Sequence, residues 1–198
     1  MRGCSLARTL RPRTPDGVGY VHNSAPRVPR QPAPGHTGTD AELTAELGAV
    51  VAGARRRALR DGDRQIDTAH LLHSLLEADP DVRDAVGDGP QVARVLGYLV
   101  QRSIGYGLRW QGSVEDSGAL RVIGRGETGW SPSASGAMRG ALLRAGLRGE
   151  PRARCLDLLA CVVADPDSRA VEVLHRAGID TAPLLARIAE SSRHASRK

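Results

Sequence analysis

The sequence contains no phenylalanine, and aromatic residues make up only 3% of its 198 residues. Lysine is almost as rare, since Lys198, the last residue, is the only one, although arginine is abundant. The P-loop of a nucleotide-hydrolysing motor needs a lysine on the nucleotide phosphates, in the pattern GxxxxGK[ST]. This chain therefore cannot contain that loop, and an ATPase motor is excluded.

Cysteine is also scarce, with three residues in the whole chain. Cys4 lies near the start, and Cys155 and Cys161 are six residues apart among leucines and valines. That spacing matches neither a CxxC pair nor a structural zinc site. We expect buried, reduced thiols, no disulfide framework, no metal and no cofactor.

Long apolar runs are missing. The longest, such as residues 156–164, which include Asp157, reach about half of the roughly 20 residues that a bilayer crossing needs. No apolar segment follows the basic start, so a secretory signal is not expected either. These absences predict a cytoplasmic protein with no membrane partner.

The net charge of +6 is concentrated in one segment. Residues 1–38 contain six arginines, one aspartate and six of the twelve prolines, whereas the remainder of the chain is nearly neutral. Such a composition predicts a disordered basic tail. A basic tail contacts phosphate backbones without sequence specificity, so a DNA-associated regulator is the alternative function, although nucleic-acid binding is the less favoured reading.

Catalytic motifs are absent as well. The chain has no GxSxG, no HExxH and no paired acidic motif, and its six histidines are scattered. His70 and His73 lie on adjacent turns, but no third ligand follows nearby, so we interpret them as structural residues near a helix start. A hydrolase is therefore disfavoured, and we expect no enzymatic activity.

What the sequence does contain is helical periodicity. Residues 41–59 place six apolar side chains on one face, namely Leu43, Leu47, Val50, Val51, Ala54 and Ala58. Asp67 or Thr68 can cap a second, leucine-rich helix that ends near Ala78. A short helix to Val86 and one that opens at Gly89 complete a group of four helices.

A second group follows a glycine-rich stretch. Residues 105–129 contain seven glycines and a short β-like alternation, which favours a linker with a small hairpin. Ser131 and Pro132 then form a helix start, with an N-cap followed by proline at the first helical position. The predicted domains are repeat one (39–104), the linker (105–129) and repeat two (130–191), which together make up one domain (39–191), followed by a C-terminal tail (192–198).

An offset of 87 residues superimposes the two groups. Leu43-Thr44 falls on Trp130-Ser131, Val51 falls on Met138, and the leucines of the second helix fall on Leu158, Leu159, Val162 and Val163. The tetrapeptide ADPD at 78–81 returns at 164–167, one residue off that offset. We infer a duplication and predict an all-α fold of two tandem four-helix repeats with pseudo-twofold symmetry.

Residues 39–190 resemble the N-terminal domain of Clp-type unfoldase chaperones, especially the ClpC kind. The family repeat reads IGTEHLLLGLL after its first helix, and this chain has IDTAHLLHSLLEADPDV; the second repeat is matched more loosely. The resemblance implies a free-standing, non-catalytic binding module that sequesters ClpC-targeting cyclic peptide antibiotics or acts as an adaptor of the Clp protease. Its expected partners are a cyclic peptide antibiotic, a protein adaptor or substrate, or the ClpC motor. The arginine-rich composition suits an actinobacterial genome.

The resemblance also implies a ligand groove between the starts of the two first helices. Carried over by position, the groove consists of Asp40, Leu43, Gly48, Val51 and Ala52 from repeat one, and of Glu127, Trp130, Ser135, Met138 and Arg139 from repeat two. Trp130 stands where the family has phenylalanine, and it is either a ligand anchor or a filler between the repeats. Ala69 and Leu156 replace the glutamates that hold phosphoarginine in relatives, so recognition of that group should be lost.

Overall fold

The computed structural model describes residues 41–103, 115 and 129–195. These residues form eight α-helices and no strand, which confirms the predicted all-α class. The helices are α1 (Ala45–Asp61), α2 (Thr68–Ala78), α3 (Pro80–Val86), α4 (Gly89–Ser103), α5 (Pro132–Leu147), α6 (Cys155–Val163), α7 (Arg169–Arg176) and α8 (Thr181–Ala195). All of them belong to one compact unit, His36–Lys198.

Side-chain caps fix the starts of the first helix of each repeat. The hydroxyl of Thr44 accepts a hydrogen bond from Leu47 N at 3.3 Å, and the hydroxyl of Ser131 accepts one from Ala134 N at 3.1 Å. Each cap satisfies an amide that has no partner within the helix. The two caps are 87 residues apart, so the duplication preserves the helix start. The sequence predicted the cap at Ser131, whereas the first helix, predicted over residues 41–59, begins only at Ala45.

Main-chain pairing joins the repeats in a symmetric way. Leu43 forms a parallel bridge with Ala153, and Ile66 forms one with Trp130. At the offset of 87, Trp130 is the equivalent of Leu43, and Ala153 is the equivalent of Ile66. The two bridges therefore join equivalent pairs of positions. Each repeat therefore contributes the same two backbone segments to the other, which is the self-complementary contact that a twofold axis generates.

Helix packing obeys the same symmetry. Within the repeats the largest contacts are between α1 and α2 and between α5 and α6. Across the repeats α2 packs on α6, and the other contacts occur in mirrored pairs: α1 with α6 and α2 with α5, α2 with α7 and α3 with α6, α3 with α8 and α4 with α7. The two predicted repeats are thus intertwined around one core rather than placed side by side.

The centre of that core consists of α2 and α6. All residues from Thr68 to Leu76 are buried, and α6 is buried along its length except at Cys161. α1 is amphipathic instead, because only Leu47, Val50, Ala54 and Ala58 are buried within it. The second helix of each repeat is therefore enclosed on nearly all sides, whereas the first buries one face only.

Several predicted boundaries lie outside the described residues. They include the basic tail 1–38 and the hairpin within the linker 105–129, of which only Glu115 and Gly129 are described. At the other end α8 continues to Ala195, so the segment 192–198 begins as helix. None of the helices among the described residues is long and apolar enough to span a membrane.

Candidate ligand-binding groove

The repeat-one half of the predicted groove lies on and just before α1. Leu43 is buried, Gly48 and Val51 are half-buried, and Ala52 is exposed. A Cβ atom added at Gly48 would meet nothing within 4 Å. This side therefore combines a buried apolar base with open space above it.

The repeat-two half lies at the start of α5. Trp130 and Met138 are buried, Ser135 is half-buried, and Arg139 is exposed. Arg139 Nη1 donates a hydrogen bond to Ser135 Oγ at 2.9 Å, which holds the guanidinium along the helix surface. The two halves share one hydrophobic cluster, because Leu43, Trp130 and Met138 belong to it and Val51 packs against it.

Trp130 has a polar atom without a partner. The residue is 8% exposed, and its Nε1 is buried with no hydrogen-bond partner in the part of the chain that the structure describes. Tryptophan N–H groups usually find a partner when they are buried, and a buried donor without one costs about 1–3 kcal/mol. The ring thus fills the space between the repeats, and its N–H lies in that space without a partner among the described residues.

The remaining two groove residues, Asp40 and Glu127, lie outside the described residues. Of the ten positions, the structure therefore places eight: four on each repeat. Ala69 and Leu156, the positions where relatives have phosphoarginine-binding glutamates, are both buried apolar residues. Neither can supply a carboxylate to a guanidinium.

A buried ionic cluster that the sequence did not predict lies beside Trp130's main-chain partner Ile66. Asp67 receives hydrogen bonds from the guanidinium groups of Arg102 and Arg169, the latter at 2.6 Å. Arg102 also donates to Asp63 Oδ2 at 2.9 Å. No local sequence pattern predicts this cluster, because Arg102 lies at the end of α4 and Arg169 at the start of α7, both far from Asp67 in sequence.

The pKa of Asp67 reflects this cluster. Burial alone raises the pKa of this carboxyl, but hydrogen bonds with His70 and electrostatic interactions with His70 and Arg102 lower it, and the net pKa is well below its usual value. Asp67 is therefore ionised at neutral pH. It also caps α2 by accepting from His70 N at 2.9 Å.

This cluster is also where the described residues come nearest to a metal site. One ligand atom each of Asp63, Asp67 and His70 lies within 4.8 Å of the others. The same carboxylates already accept from Arg102, and Asp67 also accepts from Arg169. Two guanidinium charges at this point oppose a bound cation.

Repeat two has a contact at the equivalent positions, formed by different residues. Asp157 takes the position of His70, and Arg148 takes that of Asp61, at the offset of 87. His70 Nε2 lies 3.7 Å from Asp61 Oδ2 in repeat one, whereas Arg148 donates two hydrogen bonds to Asp157 in repeat two, one of them at 2.6 Å to Oδ2. The contact between the two positions is therefore kept although both residue types differ.

The two described cysteines have thiols with a raised pKa. Burial and a hydrogen bond with Asp79 raise the pKa of the Cys155 thiol, and burial raises that of Cys161. A raised pKa removes the thiolate that metal binding and nucleophilic attack require. Both cysteines are free.

Glu115 is the other residue that the sequence did not single out. It lies within the stretch assigned to the linker, yet its side chain is only 5% exposed. Its carboxylate accepts from Thr68 and Ser131, and also from the main chain of Arg169. Position within a glycine-rich stretch gave no indication of this burial.

Comparison with solved structures places the fold. The N-terminal domain of the caseinolytic protease associated chaperone ClpD from Arabidopsis thaliana has a TM-score of 0.59 and 19% sequence identity, and the alignment covers 80% of this chain and 99% of that domain. A structure from preliminary investigations of a malarial protein secretion system has a TM-score of 0.54 and 11% identity, with 75% and 93% covered. No family model matches the chain, and no curated protein matches it. The fold is therefore that of a Clp N-terminal domain, and these identities carry no more than the fold.

Proposed function

We propose that this chain is a non-catalytic binding module, related to the ClpC N-terminal domain, whose groove between the starts of α1 and α5 takes a peptidic ligand. In this role it sequesters ClpC-targeting cyclic peptide antibiotics or acts as an adaptor of the Clp protease. The likeness to a Clp N-terminal domain supports a chaperone-related binding role. The assignment of a peptidic ligand is more specific than this role, and it rests on Trp130.

The observation that carries the proposal is the unpartnered Nε1 of Trp130. A peptide backbone offers carbonyl acceptors, and a buried tryptophan is a typical anchor of a small interface. The open space above Gly48 and the exposed side chains of Ala52 and Arg139 leave room for the body of such a ligand.

Two substitutions at Trp130 separate the anchor from the filler. Trp130→Phe keeps an aromatic ring and removes only the N–H, whereas Trp130→Ala also removes core packing. We expect wild-type protein to show a thermal shift with at least one member of a panel of cyclic peptides. Trp130→Phe should weaken that ligand roughly 10-fold, the value of one lost hydrogen bond of about 1.4 kcal/mol.

The control is Trp110→Phe, which removes the other tryptophan and should leave the affinity unchanged. A response that persists at full affinity in Trp130→Ala would show that the groove is misplaced. If no cyclic peptide shifts the melting temperature of the wild type, the adaptor role remains as the proposed function, and a pull-down with a ClpC motor tests it directly. A negative result in both the thermal-shift assay and the pull-down would contradict the proposal as a whole.

A further inference from the structure

Four hydrogen bonds converge on the carboxylate of Glu115. Oε1 accepts from Thr68 Oγ1 and, at 2.8 Å, from Arg169 N, while Oε2 accepts from Thr68 N at 2.9 Å and from Ser131 Oγ at 2.8 Å. Each oxygen therefore receives two donors. The site is fully formed around a planar group with two equivalent acceptors, which is the geometry of a carboxylate.

The donors come from three helix starts in both repeats. Thr68 is the first residue of α2, Arg169 is the first residue of α7, and Ser131 caps α5. Amides at a helix N-terminus carry a partial positive charge that favours an anion. Because Glu115 is buried, these donors replace its hydration, and without a carboxylate they would themselves be left unsatisfied.

The site is adjacent to Trp130 on both sides. Ser131 follows Trp130 directly, and Thr68 is two residues after Ile66, the main-chain partner of Trp130. A group that holds Ser131 and Thr68 at once therefore holds the two segments that this bridge joins. The carboxylate stands at a junction that determines where Trp130 lies against repeat one.

We propose that the junction of the two repeats contains a carboxylate-binding site, formed by Thr68, Ser131 and Arg169, for which Glu115 is the intramolecular ligand, and that occupancy by a carboxylate fixes Trp130 against repeat one. The site is distinct from the groove, and its test uses no groove ligand. Its outcome is therefore independent of the function proposed above.

Chemical rescue tests the site directly. Glu115→Ala removes Cγ and the carboxyl group, and acetate supplies the same two carbons and two oxygens. We expect Glu115→Ala to melt at a lower temperature than wild type and to regain roughly 3–6 °C in a saturable acetate titration. Equal concentrations of chloride should not produce this recovery. Wild type, whose site is filled, and the surface control Glu172→Ala should respond equally to both salts.

Trp130 emission provides the second measurement. All variants carry Trp110→Phe, so that Trp130 is the only fluorophore of its kind. The emission maximum should change in Glu115→Ala and return toward the wild-type value over the same acetate range that restores the melting temperature. Recovery of the melting temperature without recovery of the emission would overturn the link between occupancy and Trp130.

Equal effects of acetate and chloride on Glu115→Ala would overturn the site itself. If that variant does not fold, Glu115→Gln decides the question at the same size. The amide of glutamine has only one acceptor oxygen for the four donors, and its NH2 group faces two of them. The Glu115→Gln variant should therefore melt below the matched control Glu172→Gln, and equal melting temperatures would overturn the proposal.

Discussion

Arg169 Nη1 donates a hydrogen bond to Asp67 Oδ2 at 2.6 Å, and this contact joins residues 102 positions apart in different repeats. Both side chains are almost fully buried. Asp67 is at the same time the cap of α2 and a partner of Arg102. One carboxylate therefore links a helix start to the junction between the repeats.

Asp67→Ala should be strongly destabilising. The substitution removes a cap and takes away the carboxylate that two buried guanidinium groups share, and breaking a buried ion pair typically costs about 3–5 kcal/mol. Urea denaturation measures the loss. The matched control is Asp180→Ala, which removes an exposed aspartate that accepts from Ala182 N near the start of α8 and should cost only about 1 kcal/mol. Equal losses in the two variants would show that the ionic contacts contribute nothing beyond the cap.

Asp67 should also determine the stability of the protein in acid. Its folded-state pKa is below the value of about 3.9 expected in the unfolded chain. Its contribution is therefore complete above that pH and is lost as the pH falls further, because the unfolded state then binds the proton first. Denaturation midpoints measured from pH 5 to pH 2 should fall less steeply in Asp67→Asn than in wild type. Parallel profiles would contradict this assignment.

His73 should act in a separate pH window. Burial and the charge of Arg57 lower the pKa of His73 to about 4, whereas an unfolded histidine titrates near pH 6.5. Stability contributed by the neutral ring is therefore present above about pH 6.5 and is lost as the pH falls toward 4. His73→Gln should flatten the stability profile between these values. An unchanged slope would mean that His73 does not titrate differently in the two states.

Two glycines of α5 should respond to alanine in opposite directions. A Cβ at Gly140 would meet Cys161 Sγ at 2.8 Å, whereas one at Gly146 would meet nothing within 4 Å. Gly146→Ala should stabilise the helix by roughly 0.5–1 kcal/mol. Gly140→Ala should be destabilising, and Cys161→Ala should relieve the clash in the double variant. Thermal melts of the three proteins provide the comparison, and a stabilising Gly140→Ala would refute the close approach of α5 and α6.

The basic segment should account for any DNA affinity of the chain. Residues 1–38 carry nearly all of the net positive charge, and phosphate contacts weaken steeply with salt. Deleting these residues should abolish DNA retardation in a gel-shift assay at low salt. Sequence-specific binding by residues 39–198 alone would instead favour the DNA-associated regulator.

The helices and their duplication could be predicted because they depend on local signals. The stripe of Leu47, Val50, Ala54 and Ala58 on α1 is a matter of spacing, and the cap at Ser131 is a matter of residue type at a helix start. The offset of 87 relates the two main-chain bridges to each other, but it does not predict which segments pair. The expectation of eight helices and a pseudo-twofold was confirmed for these reasons.

The polar interior could not be predicted, since its partners are distant in sequence. Asp67 was identified as a possible cap, but nothing near it indicates Arg102 or Arg169. Glu115 lies in a glycine-rich stretch whose composition is typical of a surface linker. Its burial depends on three helix starts that meet only after the repeats have packed.

The sequence by itself determined the helical class, the duplication and the absence of a P-loop, because periodicity, caps and missing residue types are properties of short stretches of chain. Only the tertiary structure decided that Trp130 is buried with an unpartnered N–H, that the repeats exchange backbone segments, and that Glu115 is bound at their junction. The physical reason is that burial and hydrogen-bond partnership depend on which distant groups come within about 3 Å of each other.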